Sequence, residues 1–268
     1  MFRKYSTQLL LIVCLAAALD VFLQYQLQKR HTNDRVLDIS HRLAALRARI
    51  EKEVAGNLLI LQGVATFVSL NPDMSQLTFA RYAQEVMRTP NLLQNIGAAP
   101  DFVMSFVYPR EGNEAVIGLD FRTIPEQWGQ ARLAKETGFM VVAGPLHLIQ
   151  GGMGLVGRVP VYRRTVGEER FWGLVSAVMD VDRLFAQVDM REMTDLRLAI
   201  RGKDGLGPSG DVFLGDAALF APEQEAVLMP VTFPSGTWQI AAVPTDGWHE
   251  IPTSGYLTHG LVALLLGV

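Results

Sequence analysis

The chain has 268 residues, of which 49% are hydrophobic and 19% charged, and a formal net charge of -3 at pH 7. That is ample for one core of typical size or two smaller ones, and the slight acidic excess gives no electrostatic case for a nucleic-acid partner. The single cysteine, Cys14, lies in the first apolar run, so the body holds no disulfide; this suits an exported bacterial domain, and it fits many cytosolic proteins too.

Residues 1–8 read as a cytoplasmic tail carrying Arg3 and Lys4. Leu9 to Leu19 is continuously apolar, and Val21-Phe22-Leu23 extends the run past Asp20. Counted through Leu27, residues 9–27 reach the ~20 residues that a membrane span needs. A signal peptide is the rival reading, but no small-residue cleavage site follows Leu23, so an uncleaved anchor is expected. Asp20 would then sit near the membrane face, where its charge reaches water. At the other end, residues 255–268 are a second apolar run, too short to cross a bilayer, and they read as the start of a second span whose parent protein continues into the cytoplasm. Two spans would bracket a large exported loop if the N-terminus is inside; Arg3 and Lys4 argue for that, while Lys29 and Arg30 follow on the other side.

Residues 28–70 carry a long helical pattern. Val36, Ile39, Leu43, Leu46, Ile50, Val54, Leu58, Leu61, Ala65 and Val68 recur by threes and fours. Through Ile50 the alternation is that of a coiled coil, so the stretch is expected to be a stalk that pairs with a second subunit; a core helix of a monomer is the rival. Asn71-Pro72 ends it. Ser75 can cap a second helix, which Thr89-Pro90 closes.

Residues 71–165 form the first globular unit. Ile96 to Pro100 leads into a strand over Phe102 to Tyr108, and residues 110–113 make a turn. An apolar strand from Ala115 is expected to end in Asp120, with a helix starting near Pro125, two short strands, a glycine turn and a last strand ending at Tyr162. This is one curved antiparallel sheet with a helix over its face, a cup. Asp120 is the only carboxylate in its apolar run and is expected to point into the cup. The second unit, residues 166–254, opens after a charged turn at Arg163 to Arg170. It should hold a strand over Phe171 to Met179, a short helix capped by Asp180, a strand over Leu196 to Arg201, a loop over residues 202–215, and a hairpin turning at Pro234-Ser235-Gly236.

Few motifs carry chemistry. Gly152-Met153-Gly154-Leu155-Val156-Gly157 satisfies G-x-G-x-x-G, but the strand-like Arg158 to Tyr162 follows where a dinucleotide site needs a helix, so the glycines are read as letting a hairpin pass close to a neighbour. None of His31, His41, His147, His249 and His259 forms a helical metal pair, so no metal and no cofactor are expected, and no catalytic constellation is readable. Asp180 and Asp182 are explained by capping. Asp120 either accepts hydrogen bonds from a small ligand or caps the next segment and pairs with Arg122 or Arg132. Met104, Phe106, Trp128 and Met140 can line the same cavity, though residues of these types are more often plain core.

Together these pieces resemble the CHASE family, the extracellular sensory domains of histidine kinases and cyclases. The matching features are Ala99-Pro100, Tyr108-Pro109, Gly112-Asn113-Glu114, Gly118-Leu119-Asp120, Ala134 with Thr137-Gly138, Gly144-Pro145, Gln150-Gly151, Pro160-Val161-Tyr162 and Met179 to Leu184. The resemblance extends roughly from Leu43 to Trp248. It implies an α+β fold: a long membrane and stalk helix, then two tandem PAS-like antiparallel-sheet subdomains, with ligand in the membrane-distal one. In plant members the ligand is a cytokinin, held by an aspartate matching Asp120 and a backbone group at Val142; the family's helix-end threonine matches Thr137. Gly151-Gly152 departs from the plant pattern and sits closer to bacterial members.

The resulting expectation is a small-molecule sensor with its sensing part periplasmic or extracellular, anchored in the inner (plasma) membrane and homodimeric through the stalk. It is not itself an enzyme, and its parent carries a diguanylate cyclase or histidine kinase output. The alternative is a periplasmic protein–protein interaction module without a ligand of its own.

Overall fold

A computed structural model describes residues 2–148, 152–165 and 167–248. The expected second span, His249, His259 and the Gln150-Gly151 pair lie outside the described residues.

One helix, α1 (Phe2–Leu70), runs unbroken through the expected span and stalk and stops before Asn71-Pro72. By length and composition it contains a stretch able to cross a membrane. There Leu15, Leu19, Val21, Phe22, Leu23 and Leu27 are exposed. From Ile39 onward the periodic stripe is buried instead: Leu43, Leu46, Ile50, Val54, Leu61 and Val68 are sealed against the chain's own sheets. The expected coiled-coil seam is therefore a core face. Three-and-four spacing marks a covered stripe; it does not say whether a second helix or a sheet covers it.

Ser75 accepts from the Thr78 N–H and starts α2 (Gln76–Met87), as its position demands. The first sheet then collects β1 (Leu93–Pro100), β2 (Phe106–Tyr108), β3 (Val141–His147), β4 (Met153–Thr165) and β5 (Glu168–Asp180) in the order β2-β1-β5-β4-β3, all antiparallel. Between β2 and β3 lies α3 (Pro125–Thr137), with proline in its first turn and Gly138 in the left-handed conformation at its end. Three expectations change here. Ala115 to Leu119 is not a strand; Glu114–Val116 is a 3-10 turn, and only Asp120 bridges to Val103. Short apolar runs carry no reliable period, and this one packs down as a lid. The charged turn at 163–170 is a hairpin tip, not a unit boundary, since β5 pairs with β4 and β1 across the middle of the first sheet. One bulged strand, β3, stands where two short ones were expected.

After β5, Asp180 accepts from the Arg183 N–H and caps α4 (Val181–Gln187). The second sheet has the order β7-β6-β9-β8, built from β6 (Leu196–Arg201), β7 (Val212–Leu214), β8 (Val227–Phe233) and β9 (Gly236–Pro244). The hairpin at Pro234-Ser235-Gly236 is where the sequence placed it.

The two units touch along β3, where the Val142 N–H donates to Ser235 Oγ (2.7 Å) and the Gly144 N–H to Asp204 Oδ1 (2.6 Å). α1 ties to the second unit through a two-pronged Arg42–Asp195 pair, both contacts at 2.7 Å. The Arg42 hydrogen bonds hold the Asp195 carboxyl below its usual range. Its contribution is therefore present above the unfolded carboxyl value of ~3.9 and is lost as pH falls through the lowered folded value. Because the Asp195 side chain is 61% exposed, Asp195→Asn is expected to cost no more than about 1 kcal/mol near neutral pH and nothing in strong acid, checked by urea unfolding across pH.

Candidate functional site

Strand alternation gives the first sheet two different faces. Ile96, Ala98, Leu155, Val159, Val175 and Ala177 form the face packed on α1. At its centre Gly157 lies against that helix: a Cβ there would fall 2.7 Å from Leu58 Cδ2 and 3.0 Å from Leu61 Cδ2. The opposite face carries the cross-strand row Val107–Gly97–Ser176–Arg158–Val141. The segments on either side of β2, residues 102–105 and 109–121, arch over this row, stitched by backbone bonds from the Met104 N–H to Leu119 O (2.9 Å), the Gly118 N–H to Met104 O (2.8 Å) and the Phe121 N–H to Phe102 O (3.1 Å). α3 closes the arch.

Under it is a cavity of about 60 Å³. Its polar lining is Asn95, Gln127, His147, Arg158 and Ser176; its apolar lining includes Met104, Val107, Val116, Leu119, Phe121, Leu146, Val156 and Val178. Gly97 leaves room for the Met104 thioether, which would lie 2.6 Å from a Cβ at that position.

Arg158 dominates this space. It is 0% exposed. Nη2 donates to Gln127 Oε1 (2.7 Å), and the guanidinium lies over the Phe121 ring at 5.2 Å. Nε and Nη1 find no hydrogen-bond partner among the described residues, and neither does Ser176 Oγ, its cross-strand neighbour. Burial pushes the Arg158 pKa down to about 10, with Asp204 opposing the shift, so the group stays cationic at neutral pH. Unpaired buried charge is costly, and here it faces open volume.

Of the residues expected to line the cup, Met104 does. Asp120 does not: its carboxylate caps the 3-10 turn Phe121–Thr123 by accepting from the Arg122 N–H and is clamped by Arg122 Nε (2.9 Å) and Nη2 (2.9 Å). Those bonds lower its pKa, and its side chain, 27% exposed, is not among the residues lining the cavity. The capping and pairing alternative describes its geometry. The Val142 backbone N–H is taken by Ser235, and Thr137 Oγ1 donates to Leu133 O at the end of α3. Phe106 packs on Phe79 of α2, Trp128 lies edge-on to Phe102, and Met140 joins the α1-side core. Arg158 and Ser176 carry a signal in the sequence: each is the one polar side chain between apolar and glycine neighbours, Arg158 within 153–161 and Ser176 within 173–179. A wider hollow of about 510 Å³ between Asp34–Arg42 of α1 and the end of β9 is lined by charges that pair with each other, Arg42 with Asp195 among them.

The first sheet thus carries a lidded cavity on one face and a helix on the other. Residues 100–214 match the CHASE domain family. The CHASE match covers the arch, α3, β3 to β6 and β7, and so includes Met104, Gln127, Arg158 and Ser176; it is narrower than the span of the resemblance read from the sequence. No curated protein matches the chain in sequence. Among solved structures, the ligand-binding domain of the Pseudomonas aeruginosa amino acid chemoreceptor PctC, in complex with GABA, is similar at 15% identity and TM-score 0.56, over 76% of this chain and 97% of that one. The sensory domain of the Campylobacter jejuni chemoreceptor Tlp3, with isoleucine bound, is similar at 8% identity and TM-score 0.54, over 82% and 96%. An extracellular ligand binding receptor from Desulfohalobium retbaense is similar at 14% identity and TM-score 0.54; 74% of this chain is covered but only 39% of that one. At these identities the likeness to the solved structures is one of fold alone, here a long helix backing two antiparallel sheets.

Proposed function

We propose that the chain is the small-molecule sensing part of a transmembrane signalling receptor, lying outside the cell or in the periplasm. The observation that carries this reading is the arrangement of β4. Arg158 faces the cavity, and its neighbour Gly157 seats α1 on the opposite face of the same strand. Whatever enters the cavity bears on the strand that bears on the helix. The CHASE match and the bound amino acids of the solved chemoreceptor domains support it.

In this reading residues 9–27 of α1 lie in the inner (plasma) membrane. Ligand contacts come from Met104, Asn95, Gln127, Arg158 and Ser176, while Asp120 holds the arch in shape. The output is a cytoplasmic diguanylate cyclase or histidine kinase, as the family resemblance implies. A homodimer would pair through the face of α1 that carries the exposed Leu59 and Leu70, because the opposite face is filled. A ligand can shift α1 only by as much as it prefers one state of the sheet over the other.

The test is a thermal-unfolding screen of the full chain in detergent against a broad panel of small metabolites. At least one compound is expected to raise Tm in a saturable manner. Ser176→Leu, which fills the cavity, should abolish the shift, and Asp120→Asn should leave it. The reverse pattern would move the pocket to the outside of the arch. If no compound shifts Tm and a periplasmic protein binds instead, the interaction-module alternative replaces the sensor.

A further inference from the structure

We infer that the cavity takes a small monocarboxylate with a short apolar tail, its anionic head on the Arg158 guanidinium and the Ser176 hydroxyl. This rests on the reading of the cavity as the ligand site and names the class of ligand.

The head is dictated by charge. Arg158 is wholly buried and uses one of its three nitrogens on Gln127, while Nε and Nη1 are unpartnered among the described residues. Ser176 Oγ, in the facing position on β5, is also unpartnered and buried, so two donors converge from adjacent strands. The carboxylate that acts on Arg158 through space, Asp204, lies in the second unit, accepts from the Gly144 N–H, and is not part of the lining. Charge-assisted bonds from guanidinium to carboxylate are the strong ones, and a carboxylate accepts on both oxygens without needing a donor in return.

The rest of the ligand is dictated by what the lining lacks. No Asp or Glu belongs to it among the described residues. The ammonium of an amino acid would therefore enter without a counter-charge beside a cation already there. A dianion, such as hydrogen phosphate, would bring a second negative charge against a single buried positive one, and uncompensated buried charge is disfavoured. His147 does not supply it, since it is exposed at the mouth. Beyond the head the walls are apolar: Val107, Val116, Leu119, Val156 and Val178, with the flexible Met104 above Gly97. A volume of about 60 Å³ accommodates roughly four water-sized groups, so the tail is short and affinity is expected to fall as it lengthens.

The test is titration calorimetry on the full chain in detergent with propionate, butyrate and valerate. The matched primary amides, GABA, L-isoleucine and inorganic phosphate are the other arms. Acids are expected to bind and amides not to. Arg158→Met should weaken the acids by about tenfold to a hundredfold while raising the Tm of the ligand-free protein, which separates lost binding from lost folding. Ser176→Ala should weaken them less. Amides binding as well as acids, or acids binding undiminished to Arg158→Met, would overturn the inference. So would preference for an amino acid or for phosphate; if Ser176→Leu abolishes that binding, the cavity remains the sensor site and only the ligand class fails. Binding of none of the probes, in a protein whose Tm responds to some other metabolite, also rejects the monocarboxylate while leaving the sensor reading intact. If nothing at all shifts Tm, both readings fail together.

Discussion

Arg158→Met is expected to stabilise the ligand-free protein by about 1–4 kcal/mol, read as an increased denaturation midpoint with an unchanged m-value. Among the described residues, the enclosed guanidinium has one hydrogen bond, one ring face and the through-space charge of Asp204 to offset its lost hydration. A cation–π contact contributes about 0.5–2 kcal/mol, and the bond to Gln127 a similar amount. Removing water from a charge costs several kcal/mol, so the present contacts do not cover it. Methionine has similar length, no charge and a flexible thioether. Gln127 is only partly buried, so its amide oxygen can turn to water. A site that lowers stability until its ligand arrives is a common trade between binding and folding. A loss of more than about 1 kcal/mol in this variant would show that the guanidinium is structural and would remove the charge argument for the cavity.

The largest loss is expected at the other sheet. Trp238→Ala should lower the unfolding free energy by about 3–5 kcal/mol. The indole is 1% exposed on β9, edge-on to Phe213 of β7 at 4.9 Å and to Phe233 of β8 at 4.7 Å. It therefore sits among strands from across the sheet and belongs to the core that includes α1. Because the cavity lies in the first unit, ligand affinity measured well below the midpoint should change little. A drop below about 1 kcal/mol, or a collapse of binding with the fold intact, would contradict this separation.

Much of the fold is legible because its signals are local. Ser75 and Asp180 cap the helices they were expected to cap, Pro125 and Gly138 bracket α3, and Pro234-Ser235-Gly236 turns the second hairpin. Pairing across the chain is not local. Nothing near residues 163–170 tells that the strand after them returns to the middle of the same sheet. The heptad spacing of α1 could not say that sheets rather than a second helix cover it. The site was half legible. Asp120 drew attention as a lone carboxylate, but Arg122 stands two residues away and satisfies it. Arg158 is equally alone among Leu155, Val156, Val159 and Val161, with no acidic residue nearby in sequence to answer it. A lone charge of either sign in an apolar run, with no partner close in sequence, marks such a position.

Gly157 and Arg158 give β4 two adjacent residues with separate duties. One faces the cavity, the other meets the helix by contact shape alone. On the proposed sensor reading, recognition can drift toward new stimuli through changes on the cavity side without resetting how the helix rests on its seat. A lineage of such receptors would then retune what it detects while keeping a single mechanical threshold for firing.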